Sequence, residues 1–138
     1  MVGHLWSAIS FVLTIFSMKE FEEEAQASWG DTDAYKQSKS RTSKYTHADF
    51  AKAKVDQEAA TEKFVYAFGN GLSINSSHAQ LAVAAHRASI SKWFYDCSID
   101  MQKNLALLYV EDPRFKKYYD DRVHGLAQYV HDAIKAQR

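Results

Sequence analysis

The residues able to do chemistry are few, and the most conspicuous is a thiol. Residues 92–101 read KWFYDCSIDM and hold the one cysteine of the chain, Cys97, just behind Trp93, Phe94 and Tyr95. Such a thiol can act as a nucleophile, make a soft contact with a ligand, or simply fill apolar space. A nucleophile needs a base within hydrogen-bond reach or a local field that stabilises the thiolate. In a continuous helix His86 shares a face with Ile90, Trp93, Phe94 and Cys97, but eleven residues rise about 16 Å. A His86/Cys97 dyad is therefore excluded unless the chain folds back between them. If Asp96 caps the following helix, Cys97 falls in its first turn, where the helix dipole favours a thiolate; the Asp96 carboxylate opposes it. Two readings stand: a buried inert cysteine under core aromatics, or a reachable thiol beside a flat wall of Trp93 and Phe94.

Elsewhere the familiar catalytic patterns are missing. The sequence has no P-loop, GxGxxG, HExxH, CxxC or GxSxG. His124 and His131 lie two turns apart on the last helical stretch, about 10.5 Å along the axis, too far to share one metal. They read as surface histidines. No metal, no cofactor and no enzymatic turnover are expected.

These side chains must be positioned by helices. The chain has 138 residues, enough for one domain with a hydrophobic core and no disulfide staple. Glycine occurs five times and proline once, and no useful stretch alternates with period two. Asp31 or Thr32 is placed to cap a helix running to about Tyr45. Thr46 with Asp49 forms a capping-box pair opening the next, which Gly69-Asn70-Gly71 closes. Ser77 with Gln80 opens a third, and Asp112-Pro113 gives an N-cap followed by proline at the first helical position. Phe115, Tyr119, Val123, Leu126, Val130, Ala133 and Ile134 recur at helical steps, which predicts one long last helix. An all-α domain of five or six helices follows. Phe64, Phe68, Phe115 and Tyr119 sit on the stripes and are assigned to its core. Trp29, Tyr35 and Tyr45 fall in a polar stretch, where ligand contact competes with packing.

Charge narrows the partners. Lys plus Arg and Asp plus Glu number 17 each, leaving no net field for nucleic acid or anionic lipid. Lys36, Lys39, Arg41 and Lys44 read as a solvated helix face. Residues 1–18, MVGHLWSAISFVLTIFSM, carry no Lys, Arg, Asp or Glu. They are short for a membrane span and lack the positive n-region of a secretory signal, so they read as an apolar N-terminal extension to a domain over 19–138. A cytoplasmic protein is the expectation.

Four blocks in register carry a family resemblance: WGDTDAYKQSKSRTSKYT from Trp29, HRASISKWFYDCS from His86, YVEDPRF from Tyr109 and GLAQY from Gly125. Together they resemble the TipAS-type antibiotic-recognition domain, the effector-binding half of certain MerR-family transcription regulators. The resemblance implies a compact, globin-like all-α fold that encloses a thiopeptide-like antibiotic or another bulky aromatic molecule in a cleft. It implies N-terminal helices, around Trp29, Tyr35 and Tyr45, that become ordered over the ligand. It also implies that Cys97 adds to a dehydroalanine of the antibiotic. The candidate ligand-contacting set is Cys97, Trp93, Phe94, His86, Met101, Trp29, Tyr35 and Tyr45. The sequence departs from the family pattern at Asp96 and Gln102, where proline and histidine are frequent. A regulator of this type begins with a winged helix-turn-helix, which residues 1–18 are too short to form, so direct DNA binding is not expected. The alternatives are an effector-binding fragment of a MerR-family activator and, with less support, a thiol enzyme.

Overall fold

The computed structural model describes residues 33–137. Within them lie six helices and no strand: α1 Asp33–Thr42, α2 His47–Gly69, α3 Ser77–Trp93, α4 Ile99–Glu111, α5 Pro113–Asp120 and α6 Leu126–Ala136. The all-α expectation of five or six helices holds. Residues 1–18, Trp29 and the Asp31/Thr32 cap lie outside the described residues.

Most boundaries follow local chemistry. The Thr46 side chain accepts from the Asp49 N–H while the Asp49 carboxylate accepts from the Thr46 N–H, the reciprocal pair that opens α2. At its far end Gly71 adopts φ 67° and the Leu72 N–H donates to the Ala67 carbonyl, a Schellman closure. Asp112 caps α5 with Pro113 in the first turn. Two expectations are corrected. Ser76, not Ser77, caps α3, and Gln80 reaches instead to the carbonyls of Ile74 and Ala133. The single long last helix is broken into α5 and α6, because Gly125 takes φ 89° and the Asp120 carboxylate accepts the Ala127 N–H at 2.9 Å. The helical stripe persists across the break, so periodicity alone did not reveal it.

α2 and α3 form the long antiparallel pair, with Asp56 beside Trp93, Phe64 beside His86 and Tyr66 beside His78. α4 packs chiefly on α6 and α5. Phe64, Val83, Ile90, Leu105, Leu126, Val130 and Ile134 make the fully enclosed centre. Phe115 and Tyr119 are buried and Phe68 is partly so, in the packing roles assigned to them. His124 is exposed, and among the described residues no His/Cys/Asp/Glu group could hold a metal ion. No described helix is long and apolar enough to cross a membrane.

Candidate ligand-binding site

The site is built around the turn that joins α3 to α4. α3 stops at Trp93, and Phe94 leaves helical geometry at φ −120°, ψ −66°. Ser98, rather than Asp96, caps α4 by accepting the Met101 N–H. Cys97 therefore precedes the helix instead of occupying its first turn, and it does not continue the face of α3 that carries His86. Its N–H donates to the Ser91 hydroxyl at 3.0 Å, which ties the turn back to α3. The thiol is only 7% exposed. Burial pushes it up to about 12, against an opposing pull from the Arg87 charge, so the resting sulfur is a protonated, unreactive thiol.

What covers this turn is α1 and the residues that follow it. Arg41 donates to the Ser91 carbonyl at 2.6 Å and to the Asp96 carboxylate at 3.0 Å. Gln37 accepts the Asp96 N–H at 2.7 Å, and the Tyr45 hydroxyl donates to the Trp93 carbonyl at 2.5 Å. Arg41 is thus a latch rather than part of a solvated face, while Lys36, Lys39 and Lys44 are exposed. α1 buries only Ala34, Tyr35 and Ser38, and its attachment to residues 91–96 is polar and partly wetted. Such bonds contribute about 0.5–1.5 kcal/mol each, far less than a buried apolar face of comparable length.

Trp93 packs on the edge of the core and also lines a groove. Its indole N–H donates to the Asp56 carboxylate at 2.7 Å, which Lys92 also meets at 3.3 Å. The Lys92 ammonium stands 5.0 Å from the ring centroid, and Tyr45 meets the indole edge-on at 5.8 Å. Beside it runs an open groove of about 520 Å³, lined by Ala51, Lys52, Val55 and Asp56 of α2 with Lys92 and Trp93 of α3. Val55 is 65% exposed on its wall, an apolar side chain without a cover. An indole, aliphatic side chains and two ammonium groups around an open hollow fit a bulky aromatic molecule carrying polar substituents.

His86 has a different setting. Gln102 donates to its Nδ1 at 2.7 Å and to the Val83 carbonyl, which leaves the proton on Nε2 to donate to the Tyr109 hydroxyl at 2.9 Å. The ring is 3% exposed and T-shaped against Phe64 and Tyr109. Burial first, and then Arg87, hold its pKa down at about 3, so it is neutral and serves as a core strut.

The structure brings Tyr45 and Trp93 together and leaves Cys97 in the turn four residues beyond Trp93, bonded to Ser91. Phe94 and Tyr35 are buried at 2% and 5% exposure, and Met101 packs on the core edge. In this conformation Tyr35 reaches a guest only if α1 moves. Sequence reasoning missed Asp56, Val55, Arg41 and Arg87. Asp56 and Lys92 are 36 positions apart, and nothing local marks either as the other's partner.

The module thus combines a sheltered thiol, a polar latch on the adjoining turn and an open groove beside Trp93. Residues 21–137 match the TipAS antibiotic-recognition domain, and this chain belongs to that family. It is 38% identical to the HTH-type transcriptional activators TipA of Streptomyces coelicolor and of Streptomyces lividans, over 88% of this chain and 48% of each relative. It is 26% identical to the HTH-type transcriptional activator mta of Bacillus subtilis, over 86% of this chain and 48% of that protein. The chain thus spans about half the length of the curated relatives it matches. Among solved structures it resembles TipAS of Streptomyces lividans in complex with nosiheptide, from a thiopeptide antibiotic multidrug resistance system. The TM-score is 0.77 at 38% identity, covering 83% of this chain and 80% of that one. The globin-like helical fold implied by the sequence resemblance holds with it.

Proposed function

We propose that this domain senses or sequesters a thiopeptide-like or other large aromatic antibiotic, admitting it between the polar latch of α1 and the α2–α3 groove. The observation that carries this reading is the pairing of an uncovered aromatic groove at Trp93 with a neighbouring strap, α1 to Tyr45, held by hydrogen bonds rather than by a large apolar face. Family membership and the likeness to the nosiheptide-bound domain support the ligand class. Binding rather than turnover is the proposed role, and the neutral state of His86, bonded between Gln102 and Tyr109, supports it.

Covalent capture by Cys97 is the finer part of the proposal. Conjugate addition forms one bond, from sulfur to the terminal carbon of a dehydroalanine. The thiol proton leaves to solvent, and the adjacent carbon takes one back. No leaving group, oxidant or second catalytic residue is required. It does require thiolate, so water must reach the sulfur first, and lifting of α1 by an incoming ligand would provide that. Intact-mass spectrometry after incubation with nosiheptide tests both levels. A mass increase of one antibiotic per chain, absent in Cys97→Ser, supports capture; tight tryptophan quenching without a mass shift supports binding alone. If neither change is seen, the proposal is overturned. The relatives' length supports a larger regulator as the setting in which such a domain works, with a DNA-binding half outside this chain.

A further inference from the structure

Two arginines serve the Cys97 turn, and they differ in what they face. Arg41 is paired with Asp96. Arg87 lies one helical turn before Ser91, the residue whose hydroxyl anchors the Cys97 N–H, and so on the same face of α3. It is partly buried, and no carboxylate pairs with it among the described residues. Two neutral carboxamides hold it instead: Nη1 donates to Gln102 Oε1 at 3.2 Å and to Gln137 Oε1 at 2.7 Å. Gln137 in turn donates to Gln102 at 2.8 Å, so the clamp joins α3, α4 and the end of α6. Both bonds use the one terminal nitrogen. Nε and Nη2 form the side-on fork that matches the two oxygens of a carboxylate, and that edge has no partner among the described residues. That edge is not among the buried polar atoms that lack a partner, so it meets solvent and is open to an incoming anion.

We propose that the open Nε/Nη2 edge of Arg87 is an anion subsite, which receives a carboxylate or similar planar oxyanion on a molecule reaching Cys97. This rests on the reading that guests reach that thiol, but it adds a selection that the reading does not contain: anionic guests are preferred over neutral ones of the same shape. The influence of the Arg87 charge on the Cys97 thiol supports the placement.

Two small alkylating reagents of nearly equal size test it without any antibiotic. Iodoacetate and iodoacetamide both react with the thiolate, so the fraction ionised cancels in their rate ratio and the local preference for an anion remains. In the full chain, Arg87→Gln lowers the iodoacetate-to-iodoacetamide ratio at Cys97 by about three- to ten-fold, the scale of one unit charge at mid-range distance and intermediate dielectric. Arg87→Lys keeps most of the ratio, and high salt erodes it in the parent protein. Gln137→Ala loosens the clamp but leaves the charge, so it moves both rates alike. An unchanged ratio in Arg87→Gln, or a ratio lowered as much by Gln137→Ala, overturns the subsite while leaving nosiheptide binding to be decided separately. Failure of both reagents to label Cys97 removes the shared premise and overturns the subsite as well.

Discussion

Acid should weaken this domain through one buried ring. His86 is neutral in the fold with its pKa lowered to about 3, against an ordinary value near 6.5 in the unfolded chain. Because the folded value is the lower one, the unfolded chain takes up the proton first. The stability contributed by the neutral ring is therefore fully present above about pH 6.5 and is lost as pH falls toward 3. The slope is about 1.4 kcal/mol per pH unit, so some 2 kcal/mol is lost by pH 5 relative to pH 8. Asp112, held low by its hydrogen bond from Arg114, stays ionised across that window and does not contribute. Urea unfolding at pH 8 and pH 5 reads the difference, with His86→Gln as comparison. The variant loses about 1–3 kcal/mol at pH 8 through its disturbed bonds to Gln102 and Tyr109, yet its decline between the two pH values is smaller by about 2 kcal/mol. Proton NMR should show no His86 titration between pH 5 and 8. An equal decline in both proteins, or a ring titrating near 6.5, refutes the buried neutral strut.

Three further substitutions probe the scaffold. Arg41→Ala removes the bonds to Ser91 and Asp96, and about 1–2 kcal/mol of lost latch should make Cys97 react roughly five- to thirty-fold faster with iodoacetamide; an unchanged rate means that α1 does not control access. Gly125→Ala forces a Cβ onto φ 89°, facing Phe68 at 3.4 Å, and should lower stability by about 1–2 kcal/mol in urea titration, whereas an unshifted midpoint would mean that the α5–α6 corner tolerates a side chain. Thr46→Ala breaks the α2 capping box and should cost about 1 kcal/mol by the same assay, with no effect expected if the helix start is held by packing instead.

Helix content was legible in the sequence because caps and glycine stops are local events: Thr46/Asp49, Gly71 and Asp112-Pro113 each act within a few residues. The α5–α6 break was not, since a left-handed Gly125 leaves the apolar stripe in phase on both sides. At the site, Cys97 and Trp93 stood out by residue type and by the family resemblance. Their settings did not, because the turn that carries the sulfur is tied to α1 by Arg41, 50 positions from Ser91. Helix periodicity carried Trp93 and Phe94 along one wall, yet the helix ends between them and one turns to the groove while the other enters the core. His86 looked like a ligand contact on that same extrapolated face, and its two hydrogen-bond partners on α4 are long-range features that no local pattern reports.

The central claim is that the segment above Cys97 yields to a large aromatic guest. Isothermal titration of the purified chain with nosiheptide tests it most directly. Saturation at one antibiotic per chain, weakened when Trp93 is replaced by alanine, is the predicted result; heats no different from dilution, with protein shown folded by circular dichroism, would contradict it.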